Sequence, residues 1–304
     1  MRWHKRRSAA LAVAIVLAGC GGDDDAAQRE GEWELGPSLS SRRSYIAAAQ
    51  VGPSIYVAGG MVGETGRPLA TFQRLDTEQD RWETLSRLPE PTRAAVAAAV
   101  DGVVYVIGGT TPEGNTRAVW AWDGERWSAR ARLPAPRFNH EAVTLDGKVY
   151  VFGGFDQGEE HDEVYAYDPV ADRWELVSHL PLPNHAFGAV AFRGEIWVIG
   201  GRRGEEVLDE VHVFDPRTRR WRSGPAVPEP MELLGATVAG DEIHAVWEGI
   251  YQWYDASDGR WSRGPSPNVT RHALQAFAVD GVLYAVGGCT TRLQDSQVVE
   301  TLPL

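Results

Sequence analysis

The side chains in this 304-residue chain best suited to binding chemistry are basic, and they recur at matching places. Alignment on the Gly-Gly pairs at 59–60, 108–109, 153–154, 200–201 and 287–288 brings Arg43, Thr92, Arg137, Asn184, Met231 and Arg271 to one position, just ahead of a short apolar strand. The next position holds Ser44, Arg93, Phe138, His185, Glu232 and His272, and the one after it Tyr45, Ala94, Asn139, Ala186, Leu233 and Ala273. His140 follows Asn139, and Arg202-Arg203 follow the fourth glycine pair. A guanidinium offers paired N–H donors to a carboxylate or phosphate. Arg43, Arg93, Arg137, Arg202, Arg203 and Arg271, with Asn139, His140, His185 and His272 among them, therefore read as a ring of anion-recognising groups. The competing reading is local: an Arg in such a loop can pair within its own repeat.

Motifs with a fixed catalytic meaning do not occur: no Gly-x-Ser-x-Gly elbow, no His-Glu-x-x-His, no phosphate loop, no Cys-x-x-Cys. His140, His185 and His272 could together hold zinc or copper, but each belongs to a different loop, so neither a metal nor another cofactor is expected. Glu232 beside the arginines is compatible with general acid/base work. Cys289 reads as a small buried filler, with a reactive thiol as the alternative.

These residues must be positioned by repeated short strands. Each glycine pair ends an apolar run, as in Val103 to Ile107 and Ile196 to Ile199. Asp76, Asp123, Asp168, Asp215 and Asp255 close a second run and read as turn initiators. Trp82, Trp127, Trp174, Trp221 and Trp261 open a third, the middle three 47 residues apart, and Pro-x-Pro turns follow seven residues later at Pro89, Pro134, Pro181 and Pro228. One period is four short strands with turn punctuation. The tryptophans are expected between neighbouring units, and the Arg before each of them (Arg81, Arg126, Arg173, Arg220, Arg260) is expected to stitch units together.

The order Gly-Gly, Asp, Trp, with an aromatic or Trp three residues before the glycine pair (Tyr56, Tyr105, Tyr150, Trp197, Tyr284), resembles the kelch repeat. The resemblance runs from about Trp33 to the C-terminus. It implies an all-β fold, a kelch-type β-propeller of four-stranded blades around a channel, and the count here is six blades. Trp33 matches the outermost-strand motif of a blade whose first half is at the far end of the chain. The N-terminal strand is therefore expected to close the ring. The fifth repeat has Trp247-Glu248 where a glycine pair is due, and its next connection is seven residues shorter than in the third and fourth. It is either a degenerate blade or one that leaves room for something to dock.

Residues 1–19 have a basic start, a ten-residue apolar run and small residues, the layout of a secretory signal. Leu17-Ala18-Gly19-Cys20 resembles the lipobox of bacterial lipoproteins, which implies cleavage before Cys20 and lipidation of its thiol. An ordinary signal with an incidental cysteine is the other reading. Residues 20–31 form a Gly- and Asp-rich tether, leaving 32–304 as the propeller. The formal charge of −12 becomes −16 once the signal is removed, which argues against a nucleic-acid binder. Two cysteines exclude a disulfide scaffold, and 43% apolar residues exclude a disordered chain.

The expectation is a monomeric protein of the bacterial envelope, held to a membrane through the Cys20 lipid alone, binding a protein or glycan ligand at the channel mouth, with an anionic ligand suiting the arginines. The alternative is an enzyme. Exported six-bladed propellers of the sialic-acid mutarotase group resemble this chain in size and architecture, which would imply an epimerase or mutarotase acting on an acidic sugar through an Arg and a carboxylate. The copper set of galactose-oxidase-like propellers cannot be placed here.

Overall fold

The computed structural model describes residues 31–63, 65–290 and 294–304. The expected export signal at 1–19, Cys20 and the expected tether as far as residue 30 lie outside the described residues. Each repeat folds into an antiparallel four-stranded sheet. In the first blade the strands run Ala47–Val51, Ser54–Ala58, Phe72–Asp76 and Arg81–Thr84, from the channel outward. The innermost strands of the others are Val96–Val100, Glu141–Leu145, Gly188–Phe192, Gly235–Ala239 and Gln275–Val279. Each touches the next in turn, and the sixth touches the first. The result is the expected six-bladed ring.

Strand chemistry explains the stacking. The second strand of each blade, such as Val103–Ile107, is rich in β-branched and aromatic residues and buried on both faces, because a blade lies against each side of it. The core is correspondingly divided into one apolar layer per blade junction. Between the first and second blades, for example, Ala49, Phe72, Leu88, Val104 and Trp122 pack together.

Trp33 and its five counterparts join these layers. Each indole N–H donates to an acceptor on the preceding blade: Trp82 to Pro37 O at 2.7 Å, Trp127 to Ser86 O at 3.0 Å, Trp174 to Ala131 O at 2.8 Å, Trp221 to Ser178 Oγ at 3.0 Å, Trp261 to Pro225 O at 2.9 Å and Trp33 to Pro265 O at 2.7 Å. The arginines before the tryptophans do not share this work. Arg81, Arg126, Arg173, Arg220 and Arg260 are all exposed, because each stands at or just before the start of the outermost strand, where the side chain faces water. The aspartates do initiate turns: Asp76 Oδ1 accepts the N–H groups of Glu78 and Gln79 at 3.1 Å, and Asp168 Oδ1 those of Val170 and Ala171 at 3.0 Å.

The ring closes through the N-terminus. Strand Glu34–Leu35 pairs with Val299–Pro303, Glu34 opposite Thr301 and Leu35 opposite Glu300, and completes the sixth blade. The glycine pairs sit where blades approach most closely. Gly59 and Gly60 have φ of +61° and +93°, and a Cβ on Gly59 would lie 2.4 Å from Thr92 O of the next blade. No other residue type satisfies both demands.

The fifth blade shows what replacing such a pair requires. Glu248 occupies the second glycine's place with φ 42°, and its N–H donates to Arg271 O at 2.8 Å as Gly60 N–H does to Thr92 O at 2.9 Å. In the first four blades a two-stranded ribbon follows the glycine pair, for instance Thr110–Thr111 with Gly114–Asn115. The fifth turns directly from Glu242–Trp247 into Ile250–Asp255, so its rim of the mouth stands lower.

Candidate functional site at the channel mouth

The loop entering each innermost strand carries one residue at positive φ: Tyr45 at 50°, Ala94 at 49°, Asn139 at 49°, Ala186 at 58°, Leu233 at 48° and Ala273 at 52°. None is glycine, so each adopts a conformation that L-residues ordinarily avoid. The backbone explains why. Ala94 N–H donates to Tyr45 O at 2.9 Å, Asn139 to Ala94 O at 3.3 Å, Ala186 to Asn139 O at 2.8 Å, Leu233 to Ala186 O at 2.6 Å and Ala273 to Leu233 O at 2.8 Å. These bonds run from blade to blade and form a collar around a neck of about 40 Å³. Strain held by surrounding structure is characteristic of ligand-facing sites.

The expected arginine ring is not what surrounds this collar. Arg43, Arg137 and Arg271 are fully buried, pointing back into their own blades. Their position is a clip for the strand end: Arg137 Nη1 donates to Gly153 O at 2.8 Å and Arg271 Nη1 to Gly287 O at 2.5 Å. Asn184 and Thr92, at the same position, reach Gly200 O at 2.9 Å and Gly108 O at 3.3 Å. Arg271 is matched by the equally buried Glu300 at 2.7 Å, and Arg137 by Glu163 at 3.4 Å. Among the described residues Arg43 meets only neutral groups, Thr71 Oγ1 at 2.7 Å, Ser41 Oγ at 3.1 Å and Gln73 Oε1 at 2.5 Å, and burial lowers its pKa to about 10. His140 is buried too, against Gly108, where a Cβ would lie 2.8 Å from its ring. Burial, with Arg137 beside it, pulls its pKa down to about 3 and keeps it neutral.

Arg93, Asn139, His185, Arg202, Arg203 and His272 do reach the mouth or its ribbons, but most are already answered. Arg202 Nη1 holds both oxygens of Glu232, at 3.0 and 3.1 Å. His185 Nδ1 lies 3.4 Å from Glu160, and burial lowers its pKa. Arg203 pairs across its ribbon with Glu206 at 2.8 Å. His272 Nδ1 is 3.1 Å from Glu248 Oε1, while its Nε2 is 2.9 Å from Cys289 Sγ. Cys289 is buried as a filler should be, and desolvation pushes its thiol up to about 11. The thiol therefore donates to His272. Among the described residues no three His, Cys, Asp or Glu side chains are arranged to hold a metal ion.

Arg93 differs from the rest. Its Nη1 touches Met61 Sδ at 3.3 Å, and among the described residues no carboxylate pairs with it. It lines a recess of about 220 Å³ with Tyr45, Thr110, Asn115, Phe138 and Asn139. Asn115 is held from both sides, accepting from Thr110 Oγ1 and donating to Asp156 Oδ1, each at 2.7 Å. Burial raises the Tyr45 hydroxyl to about 12, so it stays a neutral donor and acceptor. Phe138 packs edge-on against Phe155, which lies 5.3 Å from the His185 ring. The recess thus offers one cation, neutral hydrogen-bonding groups and an aromatic wall, a combination that fixes a small polar ligand. Of these residues, Arg93, Phe138, Tyr45 and Asn139 stand at aligned positions of the repeat and Thr110 directly after a glycine pair, and Arg93 and Asn139 are the ones the sequence marks for ligand binding. Asn115 and the Glu160 carboxylate are missed because they stand on ribbons whose length varies between blades, and the Glu248 carboxylate because it occupies the tight turn that replaces a glycine pair in the fifth.

A closed ring of four-stranded antiparallel blades with a collared channel defines the β-propeller class. Within that class the chain belongs to the kelch-repeat family: the family model described as the KLHDC2/KLHL20/DRC7 Kelch-repeats domain matches residues 45–246. Among curated proteins it is similar to alpha-scruin of Limulus polyphemus, 32% identical over 90 residues, which is 28% of this chain and 10% of that protein. It is also similar to the F-box/kelch-repeat protein At5g26960 of Arabidopsis thaliana, 38% identical over 73 residues, 24% of this chain and 17% of that protein. The matches thus span less than a fifth of these relatives' lengths. The solved structure of YjhT superposes with a TM-score of 0.77 and 16% identity, over 89% of this chain and 97% of that one, a likeness of fold.

Proposed function

We propose that the protein is a recognition module of the bacterial envelope, anchored by a lipid on Cys20, whose channel mouth binds an acidic group carried by a protein or glycan. Kelch-repeat proteins in general bind protein partners. The observation that carries the reading is Arg93, a mouth guanidinium without a carboxylate partner among the described residues, set in a recess of about 220 Å³. A ligand carboxylate would accept from the free N–H donors of this guanidinium, as Glu232 accepts from Arg202 Nη1. The test is calorimetric titration of residues 31–304 with N-acetylneuraminate, galacturonate and an Asp-rich peptide, against glucose. Arg93→Gln should weaken whichever acidic ligand binds by tenfold or more, whereas Arg203→Gln should leave it unchanged. Equal affinity for the native protein and Arg93→Gln refutes the reading.

A second reading, an epimerase or mutarotase acting on an acidic sugar, is favoured by the Arg202–Glu232 pair at 3.0 Å beside the same collar. Exchange of sugar anomers followed by NMR separates the two: acceleration lost in Glu232→Gln supports catalysis, and an unchanged rate with the native protein removes it.

A further inference from the structure

The collar is uneven in its chemistry. Ala94, Ala186, Leu233 and Ala273 bring apolar side chains to it, whereas Tyr45 and Asn139 bring polar tips. Those two stand on either side of Ala94, since Ala94 N–H donates to Tyr45 O at 2.9 Å and Asn139 N–H to Ala94 O at 3.3 Å. Arg93 directly precedes Ala94, and Tyr45, Arg93 and Asn139 all line the recess of about 220 Å³. The polar arc of the collar thus coincides with the guanidinium that no described carboxylate answers.

The polar groups of the recess divide into engaged and open ones. Thr110 Oγ1 is committed to Asn115, and Asn115 to Asp156. Among the described residues the Tyr45 hydroxyl and the Asn139 amide have no hydrogen-bond partner. Backbone geometry does not account for a tyrosine here. Asn takes a positive φ readily, but a bulky residue at φ 50° is an outlier, and three blades place Ala at this point. A tyrosine held in a strained conformation at the edge of a recess points to a task for its side chain. Burial keeps the hydroxyl protonated, its pKa raised to about 12, and Arg93 is among the charges that act on it.

We propose that Tyr45 sets the specificity of the mouth: when Arg93 and the Asn139 amide hold a carboxylate, the Tyr45 hydroxyl donates to an oxygen on the carbon that bears it. The proposal rests on the mouth reading above and narrows its ligand from any acidic group to the acidic residue of a glycan. In sugar acids that carbon carries the ring oxygen or a hydroxyl, while in Asp and Glu side chains it is a methylene. A recess of about 220 Å³ falls short of the roughly 300–1,000 Å³ that encloses a drug-sized ligand, so it takes one terminal unit, with Phe138 as an apolar wall for the ring. A site that hydrogen-bonds a ligand oxygen rejects the isostere lacking it, because its own polar group is then left unpaired.

Residues 31–304 form the complete ring and serve for the test. They are titrated calorimetrically at neutral pH with tetrahydropyran-2-carboxylate and with cyclohexanecarboxylate, which differ only in an ether oxygen against a methylene on that carbon. The native protein should bind the first about tenfold more tightly, and Tyr45→Phe should bring the ratio close to one. Arg93→Gln should weaken both. Should Tyr45→Phe not fold, Tyr45→Ala reads the same ratio, since Ala fills this collar position in three blades. Equal affinities in the native protein, or a preference that survives in Tyr45→Phe, overturn the proposal and leave the mouth reading in place. Tighter binding of N-acetylglycine, which mimics the end of a peptide, than of tetrahydropyran-2-carboxylate overturns it in favour of a protein partner. If Arg93→Gln binds both ligands as well as the native protein does, or the native protein binds neither, the mouth reading itself has failed and the proposal with it.

Discussion

Replacing Trp33 with alanine tests how much of the fold depends on the residue that leads into the two-residue closing strand Glu34–Leu35. The side chain is 5% exposed, packs edge-on against Tyr251 at 5.8 Å, and donates its indole N–H to Pro265 O at 2.7 Å. Truncating a buried Trp to Ala costs about 3–5 kcal/mol through lost transfer energy and the cavity left behind. Stranding the Pro265 carbonyl adds about 1 kcal/mol. In a domain somewhat larger than 250 residues each kcal/mol lowers the melting temperature by roughly 2–4 °C, so Trp33→Ala should melt about 10–20 °C below the native protein. Leu35→Ala on the strand that Trp33 leads into, where the side chain is 72% exposed, should change the melting temperature by no more than about 2 °C. Circular dichroism of residues 31–304 measures both. Equal, small losses for the two variants would refute the claim that the N-terminal strand closes the ring through its tryptophan.

Two further outcomes follow from the buried groups. Glu300→Gln removes the carboxylate that pairs with the buried Arg271 and should destabilise by about 3–5 kcal/mol in urea titration. At the equivalent rung of the first blade, Gln73→Glu places a carboxylate against Arg43 and should stabilise; a lower urea midpoint for Gln73→Glu contradicts the reading of Arg43 as an unbalanced cation. The Cys289 thiol, buried and raised to about 11, should resist dithionitrobenzoate in folded residues 31–304 and react fully in guanidinium; rapid labelling of the native protein would show a nucleophilic thiolate instead.

The architecture was legible because its signals recur. Gly-Gly, Asp and Trp each answer a demand that every blade makes, namely a close approach, a turn and a filled junction. Even the closure was readable, since Trp33 carries an outer-strand motif without a blade before it. The site was only partly legible. Aligned position does not give side-chain direction: Arg93 and Arg137 differ by one place in the repeat, and that step turns one into the mouth recess and the other into its own blade. Charge compensation was hidden as well, because Glu160, Glu232 and Glu248 reach their basic partners from other strands, up to 30 residues away in the case of Glu232 and Arg202.

The pairing of Glu34 with Thr301 also governs when the molecule can be finished. The strand that leaves the ribosome first is the one that must wait longest for its partner, and five blades can stack before that partner exists. Their junctions are local in sequence and form quickly, whereas the last junction joins segments more than 260 residues apart. The entropy of bringing such ends together grows only logarithmically with separation, so the delay is set by synthesis and by ordering of the sixth blade more than by distance. Until then the nascent chain carries two unpaired strand edges, on Val282–Val286 or Val299–Pro303 and on Glu34–Leu35, that any extended polypeptide could occupy. Closure by the earliest strand thus makes completeness of the chain a condition for a ring without sticky edges.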